Sequence, residues 1–231
     1  MVRLTVPHYF DFGEDRRHVG GDLVRPNSWD GLRIATTGPF GIPETRDAWG
    51  AAADARPEIA ERARVVAQVC RERGVERLAS YGVGGATLEL WLHRVAPGLQ
   101  LTLTDYAPRT VERVAGLFPE AEVRRHDFAA AGPVPADLHL FHRIDTELSN
   151  RQWRRAFRRF AGHPILLVAT EVIDARRALA EVAKRVRNPA VSRCGWVRTR
   201  SAFESLWRAT HADRPLRVGD LEGWLLEPRG G

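Results

Sequence analysis

Between residues 77 and 187 the chain alternates short apolar runs with longer stretches whose apolar positions recur at a helical period. That alternation constrains the fold more than any other feature, because parallel strands need long crossovers and helices are the usual ones. The pattern predicts strands over 77–81, 101–105, 122–125, 137–142 and 165–170. Helices are expected over 86–95, 109–118, 150–161 and 175–187. Ser149 and Gln152 form a capping box before the third of these, and Asp174 is the expected cap of the fourth. A connection through Asn188-Pro189 and Gly195 then leads to a short helix over 201–209. Two apolar runs, 216–218 and 223–226, flank Gly219-Asp220 and read as an antiparallel hairpin closing the sheet.

Upstream, Pro57 suits the first turn of a helix that carries Ile59, Ala63, Val66 and Cys70 on one face and stops at Gly74. The first fifty-odd residues lack steady periodicity and carry Gly20-Gly21, Gly38-Pro39 and Gly41-Ile42-Pro43 among aromatics. We therefore expect two parts, an irregular N-terminal lid or substrate segment over 1–56 and a main domain over 57–231.

The apolar fraction of 44% is enough to fill one sizeable core. No run approaches the roughly 20 apolar residues of a membrane helix, and the start lacks a signal peptide's apolar centre, so a cytoplasmic protein without a membrane partner is expected. Cys70 and Cys194 are then reduced and unpaired, and two thiols without a dense carboxylate-histidine cluster imply no metal. The net charge of +6 raises nucleic acid as a partner, but the arginines are scattered among acids. The densest group, Arg154, Arg155, Arg158 and Arg159, lies opposite Trp153, Phe157 and Phe160 on a helix of 3.6 period, the outer face of an amphipathic element. Nucleic acid is thus not the expected partner, and a homo-oligomer is compatible with the sequence.

The sharpest local signal is Ser80-Tyr81-Gly82-Val83-Gly84-Gly85-Ala86, a strand that runs into a glycine turn and then a helix. Glycine suits backbone angles costly for other residues, and a missing Cβ lets a ligand lie against the main chain. The helix that follows directs free N–H groups at the same place. A plain tight turn would use the same glycines, so further residues must decide. Asp105 ends the second strand about twenty residues on, where a carboxylate can accept from both hydroxyls of a ribose. Its alternative is to cap the next helix through Tyr106-Ala107-Pro108. Asp127-Phe128 follow the third strand, where an acid can accept from an adenine amino group while a ring packs on the base.

In order and placement these three sites resemble the S-adenosylmethionine (SAM) landmarks of class I methyltransferases, over residues 57 to 227. The resemblance implies an α/β fold, a three-layer Rossmann-like sheet, mostly parallel with a reversed last strand, and SAM as cofactor. It implies that Gly82, Gly84 and Gly85 border the methionine portion, that Asp105 holds the ribose, that Asp127 and Phe128 hold the adenine, and that Ser80, Tyr81, Tyr106 and His142 also belong to the cofactor site. His142 stands where the pocket of that family opens to the acceptor. Two residues depart from the pattern: Ser80 replaces an acid that helps bind the methionine ammonium, and Ala86 replaces a third glycine.

Methyl transfer asks a protein to align an acceptor atom and, where necessary, take a proton. His142, Asp145 and Glu147 are the candidates, with His142 first because its ordinary pKa lies near neutrality, and Asp145 second. Packed histidines and helix-capping acids would give the same residues. Tyr9, Phe10, Trp29 and Arg143 are expected to touch a small organic acceptor beneath the N-terminal segment. The sequence has no Pro-Pro-Tyr/Trp motif for exocyclic amines and no Pro-Cys nucleophile for pyrimidines, which leaves an O- or N-methyltransferase of small molecules, with specialised metabolism as one expected setting. The alternatives are an NAD(P)-dependent oxidoreductase, disfavoured by Thr87 where that fingerprint needs Gly or Ala, a non-catalytic SAM-binding protein and, lower still, an RNA methyltransferase.

Overall fold

The computed structural model describes residues 2–15, 17, 26–35 and 40–230; Gly20, Gly21, Gly38 and Pro39 lie outside them. Five parallel strands, β2 (Arg77–Tyr81), β3 (Gln100–Asp105), β4 (Glu122–Arg125), β5 (Leu138–His142) and β6 (Ile165–Val168), form the body of a seven-stranded sheet. Two more, β9 (His211–Val218) and β10 (Leu221–Pro228), make the expected hairpin, and β10 joins β6 antiparallel. The order is β4-β3-β2-β5-β6-β10-β9, so the direction of winding reverses between β2 and β5. In open sheets of this kind the crevice at that reversal, beyond the carboxyl ends of the strands, is the ligand site.

Strand alternation divides the core. Leu78, Leu140, Leu166 and Leu225 face one side, packed by α2 (Arg46–Asp54), α3 (Pro57–Glu72), α4 (Thr87–Val95) and α5 (Pro108–Leu117). Ala79, Tyr81, Phe141, Leu167 and Trp224 face the other, against α6 (Asn150–Arg159) and α8 (Arg200–Trp207). This three-layer α/β sheet matches the alternation read in the sequence, and the capping box at Ser149 and the Asp174 cap of α7 (Ala175–Arg187) both form. Arg154, Arg155, Arg158 and Arg159 are exposed while Trp153, Phe157 and Phe160 are buried, so the arginine cluster is the outer face of α6.

Two elements differ from expectation. The N-terminal segment is more regular than its sequence suggests, with β1 (Thr5–Phe10) and α1 (Pro26–Ala35) as well as α2. The connection after α7 is a strand, β8 (Ser192–Thr199), which pairs antiparallel with β1 and parallel with β7 (Val172–Ile173) in a second, three-stranded sheet. Gly195 breaks the alternation of β8 and hides it from periodicity, yet the fold requires that glycine: a Cβ there would lie 2.0 Å from the Thr146 carbonyl oxygen. Among the described residues no helix is long and apolar enough to cross a membrane.

Candidate active site

The reversal between β2 and β5 opens into a cavity of about 400 Å³. Its floor is the glycine turn. Gly82 and Gly84 take left-handed angles, φ +65° and +54°, and a Cβ on Gly82 would stand 2.5 Å from the Ile144 side chain. Ala86 closes the turn with φ +51° and no side chain caps α4, which leaves its first N–H groups facing the crevice. Trp49, buried on α2, donates from Nε1 to the Gly85 carbonyl at 2.7 Å and ties the lead segment to this turn.

The wall facing the turn comes from the first fifty residues. Phe10, Phe12 and Phe40 meet ring against ring at 4.8 to 5.7 Å, and with Trp29 they line the cavity. His8 and Phe10 share the inward side of β1; alternation sends Tyr9 the other way, and Tyr9 does not line the cavity. Arg143 lines it from the end of β5 in a left-handed conformation, φ +58°, rare for a side chain of this size.

Asp105 holds the position expected of it but its oxygens are engaged by the chain. Oδ2 accepts from Arg33 Nη1 of α1 at 2.9 Å and from the Gly84 amide at 3.1 Å, and Oδ1 accepts from the Ala107 amide at 3.0 Å. Arg33, missed in the sequence, is 8% exposed and lies over the Trp29 ring, with its guanidinium 3.2 Å from where a Gly84 Cβ would stand. Asp30, one turn earlier, takes over the capping of α5 by accepting from the Thr110 amide at 2.9 Å and the Arg109 amide at 3.2 Å.

The remaining expected residues part company. Tyr81 borders the cavity, but its phenol turns into the second core, where it bonds His139 Nδ1 at 3.1 Å and accepts from the Val134 amide. Asp127 is exposed and caps its own turn at the Ala129 amide, 2.9 Å, while Phe128 packs on Phe141 and Trp153; neither lines the cavity. Asp145 is fully buried away from it and accepts from the Thr170 amide and hydroxyl, both at 2.7 Å. Its carbonyl and that of Leu148 receive the buried Arg198 guanidinium of β8, which fixes the loop after β5. Asp145 is therefore a loop-building residue in geometry, and burial pushes its carboxyl up.

His142, Glu147 and Glu89 are among the titratable groups that line the cavity. Burial, reinforced by the charges of Arg143 and Arg62, holds His142 neutral with its pKa lowered to about 3, and its Nε2 is buried without a hydrogen-bond partner. Burial raises Glu147 to about 7, against the opposing pull of the Arg33 charge and of the Tyr106 hydroxyl beside it. Glu89 is likewise raised to about 7 by burial and accepts from Ser80 Oγ at 2.6 Å. The signal that could have found Glu89 is a carboxylate among leucines, Leu88-Glu89-Leu90, on a helix otherwise apolar at that turn. Among the described residues no group of three metal-ligating side chains gathers.

No protein-family model matches the sequence, and no curated protein matches it. Solved structures do match by shape. Human N-acetylserotonin methyltransferase in complex with SAM superposes with a TM-score of 0.61 at 17% identity, over 80% of this chain and 56% of that one. Mitomycin 7-O-methyltransferase MmcR gives 0.59 at 21% identity over 80% and 57%. The SAM-dependent methyltransferase SibL gives 0.56 at 17% identity over 94% and 68%. The chain thus spans just over half the length of the first two, and its fold is the Rossmann-like class I fold that these methyltransferases share.

Proposed function

We propose that this fold works here as a SAM-dependent methyltransferase, moving a methyl group to an oxygen or nitrogen of a small, mostly apolar acceptor. One observation carries the reading: a glycine turn without room for side chains and an aromatic wall enclose one cavity at the switch point of the sheet, with two acids and a neutral histidine between them. Names of the structural neighbours support the acceptor class, since N-acetylserotonin and mitomycin are small organic molecules, and the second suggests specialised metabolism.

The residues fit the methionine half of SAM as they stand. Gly82 and Gly85 leave bare backbone, Glu89, held by Ser80 behind it, offers polar contact, and His142 lines the cavity with its Nε2 unpartnered. For the adenosine half, Asp105 must exchange Arg33 for the ribose hydroxyls, and we read α1 as the element that gives way. Tyr106 would border the sugar. Asp127 and Phe128 border adenine only if their turn also rearranges, and we leave them out of the proposed contacts.

When bound, SAM supplies a methyl group already activated on a sulfonium. The chain then has to exclude water and align the acceptor, which falls to Phe10, Trp29 and Phe40, with Arg143 at the mouth. Where the acceptor carries a proton, Glu147 is the stronger base, since a carboxyl near 7 is matched to neutral pH and His142 near 3 is not. His142 would instead hydrogen-bond the acceptor or the cofactor.

Transfer of a radiolabelled methyl group from SAM to a panel of phenols and aromatic amines tests the reading. We expect label in at least one extracted product, and Glu147→Gln to slow transfer to a phenolic oxygen by roughly 10²-fold or more. Absence of label from every probe, despite SAM binding, would favour the non-catalytic alternative.

A further inference from the structure

Glu89 sits in an environment that does not suit a carboxylate. It is 2% exposed in the first turn of α4, yet it lines the cavity beside the glycine turn. Among the described residues it enters no ion pair: its side-chain partner is the Ser80 hydroxyl at 2.6 Å, and the nearby charge that bears on it is that of Asp105, another anion. A buried carboxylate without a cation is costly, and the cost is relieved by neutralisation or by a cation that arrives from outside. Glu89 lines the cavity itself, so a cation that enters there is the occupant that relieves it.

Ser80 gives the position its meaning. Leu78 and Ser80 point to the same side of β2, so Ser80 Oγ is the last polar atom of the strand on the face covered by α4. The strand itself brings no charge to this end of the crevice, and the helix reaches back over the turn to bring one.

We propose that Glu89 is the carboxylate that binds the α-ammonium of the methionine arm of SAM, a charge carried on the helix after the glycine turn because the strand before it ends in a hydroxyl. The inference rests on the SAM reading above. Ser80 then orients the carboxylate and leaves its other oxygen for the ammonium.

Titration calorimetry with three ligands tests it: SAM, S-adenosylhomocysteine, and 5′-methylthioadenosine, which keeps the nucleoside but lacks the amino acid. Glu89→Gln should weaken SAM and S-adenosylhomocysteine about tenfold or more, as for loss of a charge-assisted hydrogen bond, and leave methylthioadenosine unchanged. Moving the charge back to the strand in the double variant Ser80→Asp/Glu89→Gln should recover most of the loss. Equal weakening of all three ligands by Glu89→Gln, or SAM affinity within about twofold of wild type, would overturn the inference while leaving the SAM reading intact. Failure of the wild-type protein to bind any of the three would remove both.

Discussion

Glu89 and Glu147 should set the pH response of the ligand-free protein. Burial raises both carboxyls from an ordinary 4.5 to about 7, so the folded chain holds protons that the unfolded chain has released between those values. Their contribution to stability is complete below about pH 4.5 and is lost as pH rises through 7. We expect the melting temperature to fall between about pH 5 and pH 8, and the double variant Glu89→Gln/Glu147→Gln to flatten that fall; an unchanged slope would place the protons elsewhere. At this scale the sequence was legible where backbone geometry dictates a residue. Gly82 announces itself because only glycine fits beside Ile144 at that angle. Roles set by burial were not legible: His142 and Asp145 look like acid-base residues, and only the packing around them shows one held neutral and the other spent on Thr170.

Helix α1 is the element on which access to Asp105 turns. Asp30 binds it to α5 and Arg33 binds it to Asp105, so opening the ribose site breaks one buried ion pair while Asp30 can remain as a pivot. Arg33→Ala should lower the melting temperature without ligand, because removing one partner of a buried pair costs up to about 3–5 kcal/mol. The same variant should show a larger rise in melting temperature on adding SAM than wild type does, since the sugar no longer competes with a guanidinium. A smaller rise would mean that Arg33 is part of the cofactor site. The helices and strands of the main sheet were legible because each carries its own period. The second sheet was not, since β8 finds its partner β1 some 190 residues earlier and no local pattern records such a pairing.

A seven-stranded sheet and a smaller three-stranded one are both tied to the N-terminal segment, through β1 on β8, Asp30 on α5, Arg33 on Asp105 and Trp49 on Gly85 among other contacts. The segment is thus a wall of the cavity and also a structural part, which a reading from composition could not distinguish. Deleting residues 1–10 removes β1 and the packing of Leu4 and Val6 on Ile173 and Val197. A loss of roughly 2–3 kcal/mol, or about 5–10 °C in melting temperature, is expected for a chain of this size. An unchanged melting temperature would show the second sheet to be dispensable. The strand order and the place of the crevice followed from the alternation of elements, whereas the closure of Asp105 depended on a residue 72 positions upstream. Calorimetry with SAM, S-adenosylhomocysteine and NAD on the intact protein tests the account most directly. It predicts saturable one-site binding of the first two and none of NAD; tight binding of NAD, or of no ligand among the three, would contradict it.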